Sequence, residues 1–141
     1  MMRAYDEKDL NELLEVWYSA SQVAHPFLDE AFFEQERHDI AALYLPKAET
    51  WVYEVDGAVV GFISLIGNEV GGIFVDPQYH GQGIGRALMD KARSITDVLE
   101  LDVFDDNHVG RRFYDMVGFR RVDVTVHEET GFRQIRLRLS D

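Results

Sequence analysis

Three glycines at alternate positions, Gly81, Gly83 and Gly85, stand between an apolar run that ends at Val75 and a helical pattern. The apolar run predicts a buried strand, which Asp76–Pro77 ends because the residue before a proline is disfavoured in the helical region. Glycines let the backbone approach a ligand closely, and the free N–H groups at the start of a helix attract anions. The segment therefore predicts a site for a ligand that carries phosphate.

The spacing of the glycines narrows the choice of ligand. A P-loop needs Gly-x-x-x-x-Gly-Lys-[Ser/Thr], which the chain lacks. A dinucleotide fingerprint needs a third glycine where Arg86 stands, although Asp102 follows at about the distance of the ribose-binding acid. This departure weakens the dinucleotide interpretation without excluding it. A glycine-rich turn that binds no ligand is a further alternative.

Residues 78–83, Gln-Tyr-His-Gly-Gln-Gly, resemble the acyl-CoA loop of the GNAT N-acetyltransferases, whose pattern is Gln/Arg-x-x-Gly-x-Gly/Ala. One position departs from the bacterial form, because His80 stands where many relatives carry an arginine with a fixed charge. The resemblance implies acetyl-CoA as the cosubstrate and no metal. It assigns CoA binding to Phe74, Val75, Gln78, His80, Gly81, Gln82, Gly83, Ile84, Gly85, Arg86 and Asn107.

A second segment, residues 107–119, supports the same interpretation. Asn107 is a good N-cap and Gly118 suits the position after a helix, so a helix is predicted at 108–117. Val109, Phe113, Met116 and Val117 line one face of this helix. The segment resembles the downstream GNAT signature, an asparagine followed by a short helix with Phe-Tyr and then Gly-Phe. The resemblance implies that Tyr114 is the acid that protonates the leaving thiolate.

The composition limits the class of protein. A chain of 141 residues with 46% hydrophobic residues is expected to form a single domain, 1–141. The resemblance implies that this domain is of the N-acetyltransferase type. The sequence has no signal-peptide pattern and no apolar run near the length of a membrane span, so we expect a cytoplasmic protein that does not bind membranes. A net charge of −12 argues against nucleic acid. It would favour a cationic acceptor such as an amine, although an acidic surface that only keeps the protein soluble is an alternative explanation.

Cysteine is absent from the chain, which excludes disulfides, thiolate metal sites and an acyl-cysteine intermediate. Any acyl transfer should therefore be direct, within a ternary complex. CoA is anionic, so the loop must overcome the negative charge of the whole protein. Five basic residues in the two motif segments are expected to supply positive charge close to the bound CoA: Arg86, Lys91, Arg93, Arg111 and Arg112.

Aminolysis of a thioester needs a group that takes the proton of the amine and donors that stabilise the carbonyl oxygen. Backbone N–H groups near Phe74 and Val75 are candidates for the donors. Glu69, at the head of the same strand, is the favoured base, and His25 is the alternative because an imidazole titrates near neutrality. A third possibility is that the amine arrives already neutral and needs no base. His25 and Phe27 lie between the first two predicted helices. The resemblance to the GNAT fold implies that the acceptor binds there, although a single histidine in a loop can also be structural.

The periodicity of the chain gives an order of elements. Strands are predicted at 1–5, 51–55, 58–66, 70–75, 98–104, 119–128 and 132–139, and helices at 7–20, 29–45, from 84 and at 108–117. Trp17, Phe32 and Phe33 are predicted to be core. The order resembles the GNAT acyl-CoA N-acyltransferase fold, an α/β (mixed α+β) class in which helices flank a central mixed, mostly antiparallel sheet.

These observations predict an acyl-CoA-dependent N-acyltransferase that moves acetyl from acetyl-CoA to a primary amine of a small molecule or peptide. The protein is expected to be a monomer or a homodimer. The alternative is a non-catalytic CoA-binding or regulatory module on the same fold. Tyr114 favours the enzyme.

Overall fold

A computed structural model describes residues 1–140 and contains a seven-stranded sheet in the order β1-β2-β3-β4-β5-β7-β6. The strands are β1 (Met2–Ala4), β2 (Glu49–Val55), β3 (Ala58–Ile66), β4 (Glu69–Val75), β5 (Val98–Phe104), β6 (Arg120–Val126) and β7 (Arg133–Ser140). The helices are α1 (Leu10–Ala24), α2 (Glu30–Asp39), α3 (Ile84–Ile95) and α4 (His108–Val117). The predicted fold class, a mostly antiparallel mixed sheet with flanking helices, is confirmed.

The sheet opens between β4 and β5, which form its one parallel pair within residues 1–140. They share a single register position, Glu69 with Glu100, whereas β3 pairs with β4 along most of its length. The register between β3 and β4 also shifts and leaves Gly71 without a partner on β3, a bulge that bends the strand. Backbone groups of β4 on the β5 side are therefore available beyond Glu69.

Two hydrophobic clusters cover the two faces of the sheet. One includes Leu88 and Met89 of α3 with Ile63 of β3, and the other includes Leu13 of α1 with Phe62, the neighbour of Ile63. Adjacent residues of β3 belong to different clusters because side chains alternate between the faces of a strand. The helices thus fix β4 and β5 from both sides.

The first two helices differ in their bounds from the predicted ones. The helical pattern from residue 7 begins as a 3₁₀ turn capped by Asp6, and α1 continues to Ala24 rather than residue 20. The second helix ends at Asp39 and not at residue 45, because a π-helical turn (Ile40–Tyr44) and a 3₁₀ turn around Pro46 follow it. Such π turns interrupt the hydrogen-bond ladder without changing the apolar pattern of the sequence.

The apolar face of α4 is only partly buried. Val117 is buried, but Met116 is 67% exposed and Val109 is 43% exposed. Both residues line the main cleft of the protein, so the apolar stripe of α4 faces a cavity as well as the core. None of the helices in residues 1–140 is long and apolar enough to cross a membrane.

The start of α4 depends on a close approach between two residues. The Oδ1 atom of Asn107 accepts a hydrogen bond from the N–H of Gly110 at 2.8 Å, as expected for an N-cap. A Cβ atom at Gly110 would overlap Nδ2 of Asn107, so a larger residue requires this side chain to move.

We expect Gly110→Ala to displace the Asn107 side chain and to lower the free energy of unfolding by about 1–2 kcal/mol. Urea unfolding measures the change, with the exposed neighbour His108→Ala as the control. Equal stability of the Gly110 variant and the wild type would show that the cap does not hold this helix.

Candidate active site

A cleft of about 520 Å³ runs from the glycine loop, along the open side of β4, to the ends of α1 and α2. It brings together most of the predicted site residues: His25, Glu69, Phe74, Val75, His80, Gly81, Gly83, Ile84, Gly85, Arg86, Asn107 and Tyr114. Gln78, Gln82 and Phe27 are not on its wall. The loop, the strand and the short helix that the sequence pointed to therefore face one space.

The glycines of the loop have two different functions. Gly81 and Gly83 have φ angles of +80° and +81°, in the left-handed region, and a Cβ on either would meet no atom within 4 Å. Gly83 is the N-cap of α3, and no side chain caps this end. The first N–H groups of α3 are thus left for a ligand, as a pyrophosphate requires. Gly85 instead permits close packing, because its Cβ would lie 3.2 Å from the ring of Phe113.

Positive charge at the loop is scarce. Arg86 is the one residue of the predicted basic cluster on the wall of the cleft within residues 1–140. Lys91 lies over the ring of Trp51, 3.9 Å from its centroid, and Arg111 donates to Asp105. His80 turns toward β4, with Nε2 2.9 Å from the carbonyl oxygen of Val75. A phosphate bound at this loop would therefore be held largely by backbone N–H groups.

Tyr114 lies on α4 where the helix faces the cleft. Its ring packs edge-on against Phe113 and Phe119, at centroid distances of 5.6 and 5.5 Å. Burial raises the pKa of the Tyr114 hydroxyl above its ordinary value. The phenol therefore stays protonated at neutral pH and can donate a proton or a hydrogen bond.

Glu69 is held in an ion pair. Its two carboxylate oxygens accept hydrogen bonds from Nη1 and Nη2 of Arg136 on β7, the first at 2.7 Å. Arg136 also contacts Glu100 and Asp102, so one guanidinium holds three carboxylates at the point where β4 and β5 separate. To take a proton from an amine, Glu69 would have to give up part of this pairing.

His25 is joined to the cap of α4. Oδ1 of Asn107 accepts a hydrogen bond from the N–H of Gly110. The side-chain atom of Asn107 that faces His25 is therefore the amide nitrogen Nδ2, which donates to Nε2 of His25 at 3.3 Å. Burial lowers the pKa of His25 to about 4, so the imidazole is neutral at physiological pH. Phe27 packs behind it against Phe104, at a centroid distance of 5.5 Å, rather than forming a wall of the cleft.

The end of the cleft near α1 and α2 is lined by residues that were not predicted to belong to a site. Trp17 and Phe33 are buried as predicted and meet edge-on at 6.1 Å, and Phe32 is half-buried. All three also line the cleft. Ser21 and Glu36 also line this end. Helical spacing predicts that these aromatic residues are buried. It does not predict that they also line a cavity, because that depends on how the helices pack.

A helix start without a side-chain cap, an open strand edge beside it and a protonated phenol across the cleft define an acyltransferase that uses acyl-CoA. Comparison with known proteins agrees. Residues 46–121 match the family model "Acetyltransferase (GNAT) domain", which covers just over half of the chain. The chain belongs to the GNAT acetyltransferase family.

The relatives extend the agreement to nearly the whole chain. The chain is 32% identical over 131 residues to the peptidyl-lysine N-acetyltransferase YiaC of Escherichia coli, covering 92% of this chain and 90% of the relative. It is 34% identical over 110 residues to the peptidyl-lysine N-acetyltransferase YjaB of E. coli, covering 77% and 74%. The predicted N-acetyltransferase class is confirmed.

Solved structures show the same fold. The solution structure of apo-form YjaB from E. coli has a TM-score of 0.86 at 26% identity and covers 100% of this chain and 98% of its own. The PaiA N-acetyltransferase of Thermoplasma acidophilum, in complex with coenzyme A, has a TM-score of 0.79 at 21% identity and covers 96% of each chain.

Proposed function

We propose that this protein transfers acetyl from acetyl-CoA to the ε-amino group of a lysine side chain in a peptide or protein. The observation that carries the proposal is the cleft itself, which joins an anion-binding helix start to an apolar pocket with a carboxylate. The names of two relatives, both peptidyl-lysine N-acetyltransferases, support this acceptor. An aliphatic side chain with a cationic end suits aromatic walls and negative charge.

The proposed chemistry uses groups of this chain on both sides of the reacting bond. Backbone N–H groups on the open side of β4, near Phe74 and Val75, stabilise the thioester carbonyl oxygen as negative charge develops on it. Tyr114 protonates the departing CoA sulfur. The chain has no cysteine, so the acetyl group passes directly to the amine.

The reaction also needs a group that takes the proton of the amine. Glu69 and His25 were the candidates from the sequence, and both are engaged. Glu69 accepts two hydrogen bonds from Arg136, and Nε2 of His25 accepts one from Asn107. These contacts support positioning functions for both residues, with Glu69 and Arg136 fixing the opening between β4 and β5.

We expect neither Glu69→Gln nor His25→Ala to remove the acidic limb of the pH dependence of kcat/KM. Because His25 is already neutral above about pH 4, His25→Ala should mainly raise the KM of the acceptor. Glu69→Gln should lower kcat/KM by a similar factor at each pH. Initial rates from pH 5.5 to 9.5 measure both effects. Loss of the acidic limb in one variant would instead identify that residue as the base.

A screen of thiol release from acetyl-CoA tests the proposed acceptor. Lysine peptides, amino acids, polyamines and aminoglycosides are supplied one at a time, and we expect lysine peptides to give the highest kcat/KM. A preference for a small-molecule amine would overturn the proposed acceptor and keep the class of reaction. CoA binding without amine-dependent thiol release from any acceptor would favour a non-catalytic CoA-binding module.

A further inference from the structure

Glu36 is a half-buried carboxylate without a cation beside it. It lies on α2, on the wall of the cleft, and makes no side-chain hydrogen bond or ion pair with any other residue in the 1–140 range. The neighbouring cation on α2, Arg37, is directed elsewhere, because its guanidinium lies over the rings of Trp17 and Tyr18 at 5.7 and 5.2 Å. A carboxylate in this position costs free energy unless a ligand supplies the missing positive charge.

The surroundings of Glu36 add negative charge. Asp39 on the same helix and Glu129 on the β6–β7 loop both act on it, and together with burial they raise the pKa of Glu36 to about 7. Tyr44, in the π-helical turn, is a fourth titratable group in this set. His127, on the same loop as Glu129, lines the cleft and packs edge-on against Phe32 at 6.0 Å.

A second and independent feature points to a ligand at the same end of the cleft. Ser21 on α1 is 1% exposed, and its Oγ is the one buried side-chain polar atom in the described part of the chain that has no hydrogen-bond partner. Buried hydroxyls are normally paired, since an unpaired one loses its hydrogen bonds to water without replacement. Ser21 lines the cleft together with Glu36, so the missing partner has a place there.

Aromatic side chains complete this pocket. Trp17, Phe32, Phe33 and Phe74 line the same cleft as Ser21 and Glu36. Apolar walls suit the methylene chain of an alkyl amine, and the two polar groups suit its cationic end. The arrangement therefore matches a primary alkylammonium rather than an anion or a neutral polar group.

We propose that Glu36 binds the acceptor ammonium and takes its first proton, and that the hydroxyl of Ser21 accepts a hydrogen bond from the same nitrogen. This inference rests on the proposed acetyl transfer and names a residue that neither sequence motif contains. The ammonium must lose two protons in the reaction. One passes to Glu36 and then to water. The other is released as the C–N bond forms and the C–S bond breaks, and it restores Tyr114, which has given its own proton to the departing CoA sulfur.

The pH dependence of the reaction follows from the state of Glu36. Below about pH 7 the free enzyme holds Glu36 protonated, so it neither attracts the ammonium nor accepts its proton. The wild-type kcat/KM for the amine should therefore rise with pH and bend near 7. A bend caused by an ordinary exposed carboxylate would lie near pH 4.

The test compares Glu36→Gln with Glu34→Gln, an exposed glutamate on the same helix that does not line the cleft. The acceptor is Nα-acetyl-lysine N-methylamide with acetyl-CoA, from pH 5.5 to 9.5. We expect Glu36→Gln to lower kcat/KM at pH 8 by roughly 100-fold and to remove the bend near 7, with CoA affinity unchanged. Glu36→Asp should restore the bend, and Glu34→Gln should behave as the wild type.

Ser21→Ala tests the other half of the site. It should raise the KM of the same acceptor about fivefold to tenfold through the loss of one hydrogen bond, without moving the bend. Values of kcat/KM within twofold of the wild type for Glu36→Gln, with the bend retained, would overturn the inference. Because the wild type would still be active, that result is distinct from failure of the proposed function, in which no amine is acetylated at all.

A stability measurement checks that Glu36→Gln is folded and supplies an independent readout. The raised pKa of Glu36 means that its contribution to stability is greatest below the unfolded value of 4.5 and is lost as pH rises through about 7. Glutamine does not ionise, so the Glu36→Gln variant does not lose this stability as the pH rises. The variant should thus melt on the order of 5 °C above the wild type at pH 8 and close to it at pH 5. A lower melting temperature at pH 8 would contradict the buried, unpaired carboxylate on which the inference depends.

Discussion

Gly83→Val is expected to abolish CoA binding while the protein remains folded. Gly83 has a φ of +81° at the N-cap of α3, and valine disfavours this conformation by about 1–2 kcal/mol because it is β-branched. The larger effect is steric, since the valine side chain would project into the open space where the loop presents its N–H groups. Calorimetric titration with CoA and with NAD measures the change.

A matched control separates strain from the loss of the binding site. Gly57 has a φ of +83° in the β2–β3 turn, and its Cβ would also meet no atom within 4 Å, but it does not line the cleft. Gly57→Val should therefore incur a similar backbone cost and keep CoA affinity. Undiminished CoA binding by Gly83→Val, or a wild type that prefers NAD to CoA, would contradict this interpretation of the loop.

Tyr114→Phe is expected to lower kcat by roughly tenfold to several hundredfold, within the range that general acid catalysis contributes. Phenylalanine keeps the edge-on packing against Phe113 and Phe119 and removes only the hydroxyl. CoA affinity should change little, because the loss concerns the departing thiolate and not the bound ground state. Steady-state rates and a CoA titration measure the two quantities.

Tyr53→Phe provides the control for Tyr114→Phe. Tyr53 packs against the same hydrophobic cluster as Tyr114 but does not line the cleft. Removing its hydroxyl should leave kcat unchanged. An unchanged kcat in Tyr114→Phe would exclude Tyr114 from the chemistry, and an equal loss in both variants would indicate a general effect of phenol removal on packing.

The sequence predicts best those elements whose ends have their own signals. The bounds of α4 were predicted correctly because Asn107 caps its start and Gly118 ends it in the left-handed conformation, with a φ of +115°. The second helix was predicted too long because the turn from Ile40 to Tyr44 keeps an apolar pattern while its hydrogen bonds change to the π type. Hydrophobic periodicity indicates which residues are buried. It does not indicate whether the backbone hydrogen bonds are of the α or the π type.

The proposed CoA loop could be recognised from the sequence because its glycines and the helix start are contiguous. At the proposed acceptor end only His25 and Phe27 were predicted, because the other residues come from distant positions. The ion pair of Glu69 with Arg136 joins residues 67 positions apart, and the contact of His25 with Asn107 joins residues 82 apart. Glu36 resembles any exposed helical glutamate until the cleft around it is seen.

The site of acetylation on a peptide tests the central claim most directly. A peptide with a free α-amino group and one internal lysine is incubated with the wild-type protein and acetyl-CoA, and tandem mass spectrometry locates the added acetyl group. The proposed function predicts one acetyl group on the lysine Nε, thiol release in equal amount and no acetylated form of the protein on the path. Thiol release without an acetylated peptide, or acetyl transfer confined to the α-amino group, would contradict it.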